Sequence, residues 1–129
     1  DDDGLIPIFQ FADLAICPFA YDEFSFESTV LFSVVLRRIN KSLPITFIPN
    51  RIKANVRYET KLEVDEQLAR FGHITTSLPD RIDFSRATTY RTPESVMPLV
   101  NPVFTDIWYR HFAFLMESLP EGDLEEFDE

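Results

Sequence analysis

Between Arg51 and Val64 the chain alternates between apolar and polar positions. Ile52, Ala54, Val56, Tyr58, Thr60, Leu62 and Val64 share one parity, and Arg51, Lys53, Asn55, Arg57, Glu59, Lys61 and Glu63 share the other. Strands send successive side chains to opposite faces, so this pattern predicts a long half-buried strand, or two strands joined by a bend. Pro49-Asn50 supplies a turn in front of it, with Ile45 to Ile48 as the arm of a preceding hairpin. Asp65 reads as the N-cap of a short helix that turns Leu68 and Phe71 inward and stops at Gly72.

The flanking segments carry less regular patterns. Leu5 to Phe11 is rich in isoleucine and phenylalanine, and Pro7 assigns it to an edge strand or extended coil. Phe24 to Ile39 fits two periods. Its alternating Phe24, Phe26, Val30, Phe32, Val34 and Leu36 suit a strand, while Glu27 in front and Arg37, Arg38 and Lys41 behind suit a helix dipole. Residues 73–100, punctuated by Pro79, Pro93 and Pro98, read as short strands and ordered loops. Val103, Phe104, Ile107, Trp108, His111, Phe112, Leu115, Met116 and Leu119 form a helical stripe, with Asn101-Pro102 as its start. The expectation is one β-rich α+β domain over residues 1–119, with a mostly antiparallel sheet and a C-terminal amphipathic helix. An all-β sandwich, with 103–116 as a buried strand, is the alternative. Residues 120–129 form an acidic tail.

Composition narrows the function classes. The chain has 129 residues, 45% hydrophobic and 26% charged, which suits one packed domain. Its net charge of −10 is unevenly laid out. Residues 1–36 hold seven acids and 117–129 another seven, with no lysine or arginine in either block, while all 12 basic residues lie between. Such blocks at chain ends act as solvated tails or interaction arms. Cys17 is the single cysteine, so no intrachain disulfide forms, and a reducing compartment is favoured. There is no basic-then-apolar leader and no apolar run near 20 residues, so neither a signal peptide nor a membrane span is expected. A chain opening at Asp1 reads as an excised domain or proteolytic product.

No catalytic constellation is visible. Cys17 would need His73 or His111 beside it as a base, and its apolar context favours an inert thiol. Two separated histidines and one cysteine lack the paired spacing of a metal site, so no metal and no cofactor is expected. Glu59-Thr60-Lys61 and Pro79-Asp80 resemble pieces of a nuclease core, but in the wrong order. Only three glycines are present, at 4, 72 and 122, so no nucleophile elbow, GxGxxG or Walker loop can be built.

Two groups of residues stand out as partner-binding candidates. Arg51, Lys53, Arg57 and Lys61 would project from one strand face, and Leu124 and Phe127 punctuate the acidic tail. A basic sheet can bind single-stranded nucleic acid, but it needs interleaved aromatics, and Tyr58 lies on the opposite parity. An acidic segment suits these cations better, and thirteen phenylalanines supply material for an interface. The expected function is therefore non-enzymatic: a structural or protein–protein interaction module of a larger assembly, with a protein partner or self-association. The alternatives are a nucleic-acid-binding module using 51–61 and a self-assembling coat or shell subunit.

Overall fold

The computed structural model describes residues 2–52, 61–81, 84 and 91–113. Helix α1 (Asp2–Phe11) leads into strand β1 (Ala15–Phe19), helix α2 (Glu23–Ile39) and strand β2 (Ile45–Pro49). Helix α3 (Lys61–Ala69), the short strand β3 (His73–Ile74), a 3₁₀ turn (Glu94–Val96) and helix α4 (Met97–His111) follow. The strands form one sheet in the order β1-β2-β3, with both pairs parallel. This overturns the expectation of a β-rich, mostly antiparallel domain, and the all-β sandwich with it. The described residues are mostly helical, and α2 and α3 each connect neighbouring parallel strands, a connection that a tight hairpin cannot make.

Register explains the core. Ala15 pairs with Ile45 and Cys17 with Phe47, so Cys17, Phe19, Ile45 and Phe47 fall on one face of the sheet. There they join Leu36 of α2, Leu43, and Val64 and Leu68 of α3 in a single buried cluster. Consecutive strands linked in one direction by crossovers of one hand carry both connecting helices on the same face. Thr46 points to the other face, where the His111 side chain of α4 meets it. The sheet is thus helix-covered on one side by α2 and α3 and crossed on the other by α4.

Local chemistry sets the helix ends. Asp22 caps α2, accepting a hydrogen bond from the Ser25 amide at 2.8 Å, and Arg37 and Arg38 occupy the last turn. Residues Lys61 to Val64, expected to end a strand, form the first turn of α3, so Asp65 is inside that helix and does not cap it. The helical period shows in burial: Leu62 is 75% exposed and Val64 only 4%, whereas strand alternation would give them one face. Leu68 is fully buried, and the chain turns at Gly72 against Ile45 of β2. Leu5 to Phe11, expected to be extended, is helical with Pro7 inside it. Helix α4 begins at Met97, so Pro102 lies within it and does not open it, and residues 114–119 of the expected stripe lie outside the described residues.

Candidate functional site

Helix α2 has apolar residues on both of its faces. Thr29, Ser33 and Leu36 are buried, and Phe26 and Val30 pack on the core beside them. The two hydroxyls are satisfied within the helix, Thr29 Oγ1 donating to the Ser25 carbonyl at 2.7 Å and Ser33 Oγ to the Thr29 carbonyl at 2.8 Å. Small back-bonded side chains let the helix lie close to the sheet at no cost in unpaired polar atoms. Several large apolar residues face outward on the same helix, with Leu31 66% exposed and Phe24 80% exposed, beside half-exposed Phe32 and Val35.

Helix α1 covers only part of that face. Phe9 meets Phe32 edge-on, with ring centroids 6.0 Å apart. The Asn40 amide donates to the carbonyls of Phe9, Gln10 and Ala12 at 3.1 to 3.3 Å, tying down the end of α1. Most of the apolar side chains of α1 are uncovered: Leu5, Ile6 and Ile8 are exposed, and Phe11 is 83% exposed. An apolar groove of about 500 Å³ runs between the helices, lined on one side by Leu5, Ile6 and Phe9 and on the other by Leu31, Phe32 and Val35. Among the described residues no charged side chain lines it. Apolar helix surface of this extent is normally buried, and this one is not.

A second cleft, of about 570 Å³, opens where β1 and β2 end and α2 begins. In parallel sheets this edge is the usual position for small ligands. Its polar groups are already paired with one another. Asp22 Oδ1 accepts the Ser25 amide, Ser25 Oγ accepts the Ala20 amide at 2.9 Å, and Asn50 Oδ1 accepts the Arg51 amide at 3.0 Å. A carboxylate at the helix start repels the phosphate or carboxylate that such a position would otherwise attract.

The residues singled out in the sequence are dispersed. Arg51 is exposed at the end of β2 with a φ of 58°, in the left-handed region. Lys61 opens α3, where Nζ lies 2.8 Å from Asp65 Oδ2 and 5.5 Å from the Tyr21 ring centroid. The two therefore do not stand on one strand face. Lys53, Arg57, Leu124 and Phe127 lie outside the described residues. Tyr21, whose hydroxyl donates to Asp65 Oδ1 at 2.6 Å, has its acidity suppressed by burial first and then by that carboxylate.

The groups with potential for catalysis are also separate. Cys17 is buried in the core cluster, and desolvation pushes its thiol up, away from the reactive thiolate. His73 Nε2 lies 3.0 and 3.1 Å from the two carboxylate oxygens of Asp106, whereas His111 Nε2 lies 2.6 Å from Thr46 Oγ1. These are two contacts that dock α4 on the sheet, each histidine with its own partner. Burial pulls the His111 pKa down, and Arg110 and His73 add to the effect against the opposing pull of Asp106. Among the described residues no group of three or more histidine, cysteine or acidic side chains could hold a metal ion. No described helix is long and apolar enough to cross a membrane.

The chain matches no protein-family model and no curated protein.

The phenylalanines crowding the first quarter of the sequence pointed to an interface, but not to Leu5, Ile6, Leu31 and Val35 or to the helical pair that presents them. The helical period of α2 was hidden because Thr29 and Ser33 occupy the buried positions that apolar residues usually mark.

Proposed function

We propose that this chain is a non-catalytic protein–protein interaction module of a larger assembly, docking through the apolar face of α1 and α2. The large apolar residues that α2 leaves exposed carry the reading: Phe24, Leu31, Phe32 and Val35 stand outside the core, which α2 reaches through Leu36, Phe26 and Val30. Contiguous exposed apolar surface of this kind marks interaction sites. A second copy of the same face is the occupant in this proposal. The groove is uncharged, so two copies can meet there without bringing like charges together, although each carries a net charge of −10. The absence of basic residues from α1 argues against an anionic lipid surface.

The test compares the full chain with a Phe11→Ser, Phe24→Ser, Leu31→Gln variant by light scattering after size exclusion, with a hydrophobic dye as a second readout. All three side chains are exposed, so each substitution should change stability by no more than about 0.5 kcal/mol. The expected result is a wild-type dimer and a monomeric variant of similar thermal midpoint. A wild-type monomer that binds no more dye than the variant would overturn the proposal.

A further inference from the structure

The opposite end of the sheet has a different character. Helices α2, α3 and α4 all end near the start of β2 and β3, and each brings basic residues: Arg37, Arg70, and Arg110 with His111. Together with His73 these line a pocket of about 340 Å³ that, among the described residues, no acidic side chain lines. One cation is consumed locally, because the Arg37 guanidinium donates to the carbonyls of Leu43 and Phe71. Asp106 offsets His73. Arg70 and Arg110 are exposed and form no ion pair among the described residues.

Helix dipoles account for part of this charge. A helix C-terminus carries about half a negative charge, so three of them offset roughly half of three arginines. Asp65 and Glu66 stand on the adjoining surface beside His73 and Arg110, so the cationic character is confined to the pocket side of Arg70 and Arg110, on a molecule whose net charge is −10. Small ligands of parallel sheets sit at the other edge, where the strands end, so this pocket is better placed for docking than for chemistry.

We infer that the Arg70–Arg110–His73 pocket is the docking site of the acidic segment Glu117–Glu129 of the same chain. Charge complementarity and tethering both support this occupant. The segment holds seven acids and no base, and it begins four residues beyond Ala113, itself three residues past Arg110. Sixteen residues follow Ala113, and an extended chain spans about 3.5 Å per residue, so the segment can turn back to the pocket. A short tether holds it at an effective concentration in the millimolar range, enough to make weak ion pairs persist. This docking is independent of the α1–α2 face, with which the pocket shares no lining residue.

The test places a nitroxide on Gly122→Cys in a Cys17→Ala background of the full chain and measures relaxation enhancement at backbone amides. At low salt the expected result is strong enhancement at Gly72, His73 and Arg110, falling at least about threefold in an Arg70→Glu, Arg110→Glu variant, as for a small set of exposed ion pairs. Adding Glu125→Arg and Glu126→Arg to that variant should restore it. Arg70→Gln with Arg110→Gln, a milder pair at exposed positions, should give an intermediate loss and guards against misfolding. Enhancement that is absent in the parent or unchanged by charge reversal overturns the inference. So does inorganic phosphate that saturably shifts the His73 and Arg110 amides without displacing the segment, since the pocket would then be a small-anion site.

Discussion

Gly72 is the residue at which the sheet is most tightly constrained. An added Cβ there would lie 1.9 Å from the Ile45 carbonyl oxygen and 2.7 Å from its carbon, both backbone atoms of β2 that cannot rotate away. The close approach, and no unusual φ, is what requires glycine: α3 must hand the chain to β3 directly against the start of β2. Gly72→Ala is expected to lower unfolding free energy by about 1–3 kcal/mol, as overpacking does. Gly4 offers the control. Nothing lies within 4 Å of its virtual Cβ, and it sits inside α1. Gly4→Ala should be neutral or stabilise by up to about 1 kcal/mol, since alanine favours helix. Urea midpoints of the two variants, measured side by side, check both signs. In the sequence Gly72 was legible as a helix stop, but its contact with Ile45 was not, because that contact depends on a parallel pairing across 27 residues.

At the scale of elements, α2 carries apolar residues that hold the fold together and others that do not. Leu36 is 1% exposed and belongs to the core cluster, whereas Leu31 looks outward on the same helix. Leu36→Ala should cost about 2–5 kcal/mol through lost burial and the cavity it leaves. Leu31→Ala should cost less than about 0.5 kcal/mol, because alanine is a strong helix former and little burial is lost. Chemical denaturation of the isolated chain at low concentration distinguishes them, since association would lend Leu31 apparent stability. The hydroxyls on its buried face explain what the sequence concealed. Counting apolar positions over Phe24 to Ile39 gave strand-like alternation, while Glu27 in front and Arg37 and Arg38 behind agreed with the helix that forms. Strand β2, with Ile45, Phe47 and Ile48 around Thr46, is a short apolar run of the kind parallel sheets bury on both faces. Such a run carries no signal of the direction of its neighbours. At the end of the alternating 51–64 stretch, Val64 and Leu68 were already spaced for a helix, but even numbering concealed that from a two-residue period. The partner-binding candidates suffered accordingly, since Arg51 and Lys61 were grouped by a parity that α3 does not preserve.

For the whole molecule, the apolar α1–α2 face and the cationic pocket should respond to salt in opposite ways, and this makes them separable in one sample. Screening acts on exposed charges over a Debye length that shrinks from about 10 Å at ~0.1 M to about 3 Å at ~1 M ionic strength. Arg70 and Arg110 are solvent-exposed, so contact between their pocket and the acidic segment should weaken over that range. The α1–α2 groove has no charge to screen. Its association should persist, or tighten, because salt also screens the repulsion between two copies of a chain with a net charge of −10. The expected outcome is a dimer whose mass is unchanged or increased at ~1 M salt while relaxation enhancement at Gly72 and His73 collapses. If both signals fall together, association runs through charge and the apolar face is not its seat. If neither falls, the acidic segment is not held by exposed ion pairs. Burial of Leu31 and Phe24 can then be followed at high salt, with the electrostatic contact already removed.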